Sequence, residues 1–486
     1  MVNFLVLLAI AMASAVIVWV YWRWVAGRQF MFSAPNGFFL LQLPYLIGTF
    51  GAVNPENSQD MIWLLAQVGS LALFTAGAIL ANSMRHFHPA QEIPAFRARP
   101  VYYDLDRGWK VLFVAASGIV SMVVGVYYSM AVGYNVFTYN LKQFITTGAI
   151  NSEEYSTMRT SISVDKYVAA GYSAQFVAII LPLVIAFLWF RWWQNHRALN
   201  LFSLVVLSLG DLYFLTLTGG RGWMIFAIGG FVALLFVGPF PRVGKRMRTW
   251  GIVAMCIVVV FYGASTTLMG RTAVEGQHNL ATGVLLDFYD RIVGWEARGQ
   301  MLLMQYFLSV PSVWGAEWWA SLRDLLPQTR QARGFGSELH AMLYKGDRSG
   351  SLGLTFAGSV IYNWGLLGLA FLSLAVGWLL ERLNIAYVRG PRLLSRLLVL
   401  FFAGFSLARL RDPYSLLLEG FVTLGLCYWI LKLDGDAGAC PLMRHSAARP
   451  AAKLNRVPTR TGHFRPFAPT RVDLRPVLRS RPPEQA

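Results

Sequence analysis

The chain of 486 residues is 56% hydrophobic and only 14% charged, with a mean hydropathy of +0.48. Soluble domains carry about 25% charged residues, so this composition excludes a single water-soluble globule and points to lipid as the main solvent. The formal net charge of +18 raises nucleic acid as a partner, but the basic residues crowd short connections between apolar runs. That is a membrane pattern, and no nucleic-acid partner is expected.

The first segment, MVNFLVLLAIAMASAVIVWVYW, has no basic residue ahead of its apolar run and is longer than a signal-peptide core. It is expected to stay in the protein as a membrane helix. Runs of about twenty apolar residues, the length that crosses a bilayer, predict about eleven helices. They lie near 1–21, 37–53, 61–81, 110–132, 168–190, 199–217, 222–238, 251–268, 354–378, 393–410 and 415–432. The fold class is therefore all-α and polytopic. The second run contains Pro44, and the close pairs around Arg221 and around Arg409 to Pro413 also fit re-entrant segments.

Lys and Arg divide unequally between alternate connections. Segments 22–36, 82–110, 191–198, 239–250, 379–397 and the chain from Lys432 hold 28 of the 42. The other set, 54–60, 133–167, the turn at Arg221, 269–353 and 409–414, holds 14 over far longer stretches. The positive-inside rule makes the first set cytoplasmic. The N-terminus and the long 269–353 loop then face out, and the C-terminal tail faces in.

A connection of that length inside a compact chain is unusual and tends to carry function. It holds Arg271, Arg291, Arg298, Arg323, Arg330, Arg333 and Arg348. In LLDFYDRIVGWEARGQMLLMQYF the spacing places Asp287, Arg291, Gly294 and Arg298 on one helical stripe. In WGAEWWASLRDLL, Trp314, Trp318, Trp319, Leu322, Leu325 and Leu326 share one side, which suits either an interfacial helix or one packed on the bundle. The domain organisation is a membrane domain over 1–432 followed by a tail over 433–486. The tail holds eight of the 21 prolines, repeated arginines and little apolar content, so it is expected to be disordered. It suits either a weak hold on anionic lipid or an inert extension.

The chemistry-bearing residues cluster at one expected membrane level. TLTGGRGWM places Arg221 among glycines, where a ligand can approach the guanidinium and backbone amides closely. Arg271 follows the next apolar run, and Arg409 and Arg411 lie at the end of a late one. Arginine binds phosphate oxygens with two parallel donors, and ionisable groups at membrane depth mark function. Taken singly, Arg221 also fits a snorkelling helix-end residue, and Asp412 also fits an ion pair with Arg409 or Arg411. Together the three sites suit a lipid diphosphate. Glu338 and His340, in GSELHAML, are the candidate general bases, and two residues apart they do not share a helix face. No acidic cluster of metal-binding type occurs in the loop, the three cysteines have no metal spacing, and no metal or cofactor is expected.

These elements resemble the bacterial oligosaccharide repeat-unit (O-antigen) polymerases. The resemblance rests on TGGRG, the arginine after the next helix, the long outer loop, GLTFAGSVIYNWGLLGLAF with Tyr362, Asn363, Trp364, Gly365 and Gly368, and the late Arg409 and Arg411. It covers roughly residues 200–430 and implies a GT-C-like architecture in a bacterial inner membrane. It implies an inverting, metal-independent glycosyl transfer on the outer face. The donor would be a polyprenyl-diphosphate-linked oligosaccharide, with a chain-length regulator as a further partner. Arg221, Arg271, Arg291, Arg298, Arg409 and Arg411 would hold the diphosphate, and Tyr344, Tyr362 and Asn363 the glycan. Two other readings stay open. One is a ligase of related architecture, whose histidine- and asparagine-rich loop motif does not fit the residues after His340. The other is a transporter or flippase for a lipid-linked or anionic solute, which would place polar groups near the bilayer midplane, as at Asp211.

Overall fold

In lipid a backbone must satisfy its polar groups within its own segment, so apolar runs become helices. The computed structural model contains helix and no strand among its described residues, which are 2–27, 33–98, 108–147, 154, 158, 176–217, 298–309, 312–316, 318–319 and 355–390. The chain divides into units Met1–Gly435 and Asp436–Ala486, and every described residue belongs to the first. The tail expected to be disordered lies outside the described residues.

The helices are α1 (Val2–Trp24), α2 (Ala34–Ala52), α3 (Ser58–Met84), α4 (Pro89–Ala98), α5 (Gly108–Val132) and α6 (Val136–Thr147), followed by α7 (Leu181–Asn195), α8 (Ala198–Leu217), α9 (Arg298–Ser309) and α10 (Phe356–Arg389). A π-turn over Phe176–Ile180 leads into α7. Five stretches are long and apolar enough to cross a membrane: Asn3–Trp24, Ser58–Met84, Val111–Val132, Ala198–Leu217 and Phe356–Arg389. They match five of the eleven expected runs. The runs at 37–53 and 168–190 correspond to the shorter α2 and to the Phe176–Asn195 region. Those at 222–238, 251–268, 393–410 and 415–432 lie outside the described residues.

The packing centre is the crossing of α3 with α10. A Cβ on Gly77 would stand 2.1 Å from the Leu374 carbonyl oxygen, and one on Gly377 would stand 2.1 Å from that of Phe74. The two backbones touch, as small residues allow between membrane helices. One turn away Ser70 and Ser373 share a hydrogen bond of 2.8 Å. Aromatic rings of α1 and α2 fill the flank: Tyr21 stacks on Phe39 at 3.8 Å and Phe38 on Phe74 at 4.6 Å. Within α2, Thr49 donates to Gln67 of α3 at 2.9 Å. A second group joins α5, α7 and α8 around Leu181, Ile185 and Phe214. There Asn135 ties the start of α6 to α8 through the Tyr213 carbonyl (2.9 Å) and the Thr216 hydroxyl (3.1 Å).

Contacts in order give the directions. Ser70 meets Ser373 and Phe74 meets Gly377, so α3 and the long part of α10 run parallel. Gly118 meets Leu207 and Gly125 meets Phe214, so α5 and α8 do too. Thr49 meets Gln67 while Phe38 meets Phe74, so α2 opposes α3. The α2–α3 and α5–α8 directions are the ones that alternation of the described runs requires. At the end where α3 and α10 finish, Arg389 grips Glu92 of α4 through Nε (2.9 Å) and Nη2 (2.8 Å), and Nη2 also donates to the His86 carbonyl at 3.1 Å.

Candidate functional site

The main departure from regular helix lies inside α10. Gly365 takes φ 67° and ψ −171°, a backbone state open in practice to glycine alone. In an unbroken helix residues 356 and 377 would stand about 31 Å apart. Here both belong to the neighbourhood of Phe74. Phe356 meets Phe38 edge-on at 5.3 Å, Phe38 stacks on Phe74, and Gly377 touches the Phe74 carbonyl. The chain therefore turns back at Gly365, and residues 356–364 and 366–389 form two arms meeting at an apex. Gly368 completes the turn, because a Cβ there would stand 2.1 Å from Trp364 Cβ. The Gly365-x-x-Gly368 spacing thus has a physical reason: one glycine makes the bend and the other lets the chain pass close to Trp364.

A broken helix leaves carbonyls without partners. The Tyr362 and Asn363 carbonyls accept from the backbone N–H of Val313 (3.2 Å) and Gly315 (3.1 Å). Gly315, at φ 77°, lies directly under the Trp364 indole, which comes within 2.5 Å of where its Cβ would be. Trp318 meets Trp364 edge-on at 5.9 Å. From the other side, Gln300 Oε1 of α9 accepts from the Thr355 N–H and hydroxyl, each at 3.4 Å, and Phe307 lies against Tyr362 at 4.7 Å. Contacts 300 with 355 and 307 with 362 set α9 parallel to the short arm. Thr355 caps that arm by accepting from the Gly358 N–H at 3.2 Å. Two parts of the expected outer loop, 298–309 and 312–316 with 318–319, therefore clasp the Tyr362–Gly368 element.

The chemistry at the apex is aromatic and donor-rich. The buried indole nitrogens of Trp318 and Trp364 and the Ser359 hydroxyl have no hydrogen-bond partner among the described residues. Indole N–H groups only donate, and these two are sealed from solvent, so the faces open to a ligand are exposed rings beside them. Trp314 and Trp319 are strongly exposed, at 74% and 69%.

Among the expected site residues, Tyr362 and Asn363 lie at this apex. Asn363 is fully buried and donates to the Ser359 carbonyl at 3.0 Å, while Tyr362 is half-buried against Phe307. Arg298 is the first residue of α9, two positions before Gln300. Arg221, Arg271, Arg291, Arg409, Arg411, Glu338, His340 and Tyr344 lie outside the described residues. Trp314 differs from expectation. It sits at φ 50° in a turn, ahead of the helical residues it was expected to join. Trp318 turns inward and Trp319 outward.

Sequence reasoning singled out Asp211 in the polar interior and missed Glu381. The run expected to end at 378 continues as helix to Arg389, and Glu381 within it is completely buried. Asp211 is 4% exposed, with one carboxylate oxygen lacking a partner among the described residues. Glu381 lay hidden in the basic stretch WLLERLNIAYVR, read as a connection; its signal was helical spacing with Asn384, one turn on.

These features define a helical protein with membrane-crossing segments, one of them broken. No family model, curated protein or solved structure matches the chain.

Proposed function

We propose that the chain is a membrane glycosyltransferase that polymerises polyprenyl-diphosphate-linked oligosaccharide repeat units on the outer face of the inner membrane. The observation carrying this reading is the apex at Gly365, where loop segments 298–309 and 312–316 with 318–319 meet the Tyr362-Asn363-Trp364-Gly365 element. Its exposed Trp314 and Trp319 rings suit a sugar, whose apolar face lies on aromatic rings. In the proposed reaction the oxygen of an acceptor sugar hydroxyl attacks the anomeric carbon of the donor. The bond from that carbon to the diphosphate breaks, and the hydroxyl proton passes to Glu338 or His340. Arg221, Arg271, Arg291, Arg298, Arg409 and Arg411 neutralise the charge gathering on the departing diphosphate, as fixed cations do most effectively in a transition state. Tyr344, Tyr362 and Asn363 contribute to glycan binding.

The test is the surface-polysaccharide ladder of cells lacking the chain, complemented with wild type, Arg271→Ala or Trp319→Ala. Wild type restores the ladder, Arg271→Ala leaves single-repeat material, and Trp319→Ala, which removes an exposed ring beside the apex, shortens it. Long polymer left on the carrier lipid in deleted cells identifies a ligase instead.

A second reading, transport of a lipid-linked or anionic solute, is favoured by two observations. Buried acids at Asp211 and Glu381 lie within membrane-crossing helices, and broken helices line solute sites in transporters. An unchanged ladder in deleted cells selects it.

A further inference from the structure

Glu381 has no role in the reading above, yet its surroundings are built. It is 0% exposed in the long arm of α10. Asn384, one turn on, brings Nδ2 to 3.4 Å from both carboxyl oxygens. The Asn82 side chain of α3 lies within interaction range of the same carboxyl, and its Nδ2 donates to the Trp24 carbonyl of α1 at 3.2 Å. Tyr21 of α1 lies within electrostatic reach, but its hydroxyl donates to Asn36 Oδ1 of α2 at 2.6 Å. No cation among the described residues pairs with Glu381. Arg382 lies over the Trp378 ring, and Arg389 is held by Glu92 of α4.

The donor and acceptor inventory does not balance. Asn82 Oδ1 and Asn384 Oδ1 are both buried without a partner, although each residue is at least nine-tenths buried beside the carboxyl. The cluster has two acceptors too many and, with the carboxyl ionised, an uncompensated negative charge. A buried charge without a partner is strongly disfavoured, and one in a membrane span points to function.

We propose that this cluster is a proton-binding site, with Glu381 as the group that carries the proton and Asn82 and Asn384 as its exchangeable partners. Protonated Glu381 is neutral and supplies the missing donor, its O–H reaching an amide oxygen. A half-turn of the Asn384 amide about Cβ–Cγ exchanges its oxygen and nitrogen without changing its shape. When the proton leaves, the amide turns back and its N–H groups hold the carboxylate. One proton is gained or lost and no covalent bond besides O–H changes. A hard metal cation suits the site less well, since it needs converging oxygens and here the Asn384 nitrogen faces the carboxyl. Tyr21 is in electrostatic reach of Glu381. Of the charged groups on the packed elements, Arg85 caps the end of α3, Arg23 lies over the Trp24 ring and Arg382 over the Trp378 ring, and Glu92 and Arg389 pair with each other.

The experiment uses the full chain in lipid nanodiscs and does not depend on the transferase reading. Infrared difference spectra over a pH series are recorded for wild type, Glu381→Gln and Asp211→Asn. A protonated-carboxyl band is expected at neutral pH, lost in Glu381→Gln, retained in Asp211→Asn, and replaced by carboxylate absorption as pH rises. Glu381→Asp keeps the carboxyl and moves the band, and it decides the matter if the glutamine variant does not accumulate. Absence of any band that depends on residue 381 overturns the proposal. So does a sodium-dependent rise in wild-type unfolding temperature, measured against choline and lost in Glu381→Gln, because it assigns the site to a metal cation.

Discussion

Arg389 shows what one side chain does where two helices finish. Its guanidinium bonds both Glu92 oxygens and the His86 carbonyl, and lies over the Phe87 ring at 5.6 Å. The hydrogen bond from Arg389 holds the Glu92 carboxyl below the usual carboxylate range, against a smaller opposing effect of burial. A folded-state value below the unfolded one means the stabilisation is complete above the unfolded value and is lost as pH falls through the folded one. Both side chains are partly exposed, so the pair contributes under about 1 kcal/mol and is screened by salt. Glu92→Gln is therefore expected to lower the unfolding temperature slightly at neutral pH and low salt. The difference should vanish in acid and at high salt; a difference that persists in acid would show that the pair acts through packing instead. At this scale the sequence was legible in part. Tyr362 and Asn363 stood out, but the partners of their carbonyls, Val313 and Gly315, lie about fifty positions away and no local pattern names them.

Glycines carry the argument at the level of elements, each for a different reason. Gly77 and Gly377 allow α3 and α10 to touch, and a methyl group at either would overlap a backbone oxygen at 2.1 Å. Gly77→Ala is expected to destabilise the protein by about 1–3 kcal/mol, the usual result of overpacking. Gly69 of the same helix faces open space, so Gly69→Ala should be neutral or slightly stabilising. Equal effects in thermal unfolding of the two variants would show that the crossing is looser than its geometry. Gly365 has room for a side chain, but its positive φ resists one. Gly365→Ala is expected to cost about 1–3 kcal/mol of backbone strain and to disturb the clasp by 312–316 and 318–319. The lengths of α1, α3, α5 and α8 were readable because membrane helices announce themselves by unbroken hydropathy. The end of α10 was not, because charges in WLLERLNIAYVR imitate a connection when Glu381 is buried by neighbours distant in sequence.

For the molecule as a whole, the contact order places the α3–α4 turn and the end of α10 together, with the Gly365 apex and residues 312–316 and 318–319 at the other end of the long arm. With the charge count, this predicts that an impermeant thiol reagent on intact cells labels Ala316→Cys and spares Gln91→Cys, in a background where Cys256, Cys427 and Cys440 are serine. The reverse pattern would invert the topology, and labelling of both would break it. The amino-acid sequence by itself determined the apolar environment, the helical class and the positions of the long apolar helices among the described residues, because composition and apolar run length are local quantities that the bilayer reads directly. Only the tertiary structure decided that Gly365 bends α10 back on itself, that the loop clasps the bend, and that Glu381 is buried beside Asn82. Those outcomes depend on contacts between segments tens to hundreds of residues apart, which neither hydropathy nor periodicity encodes.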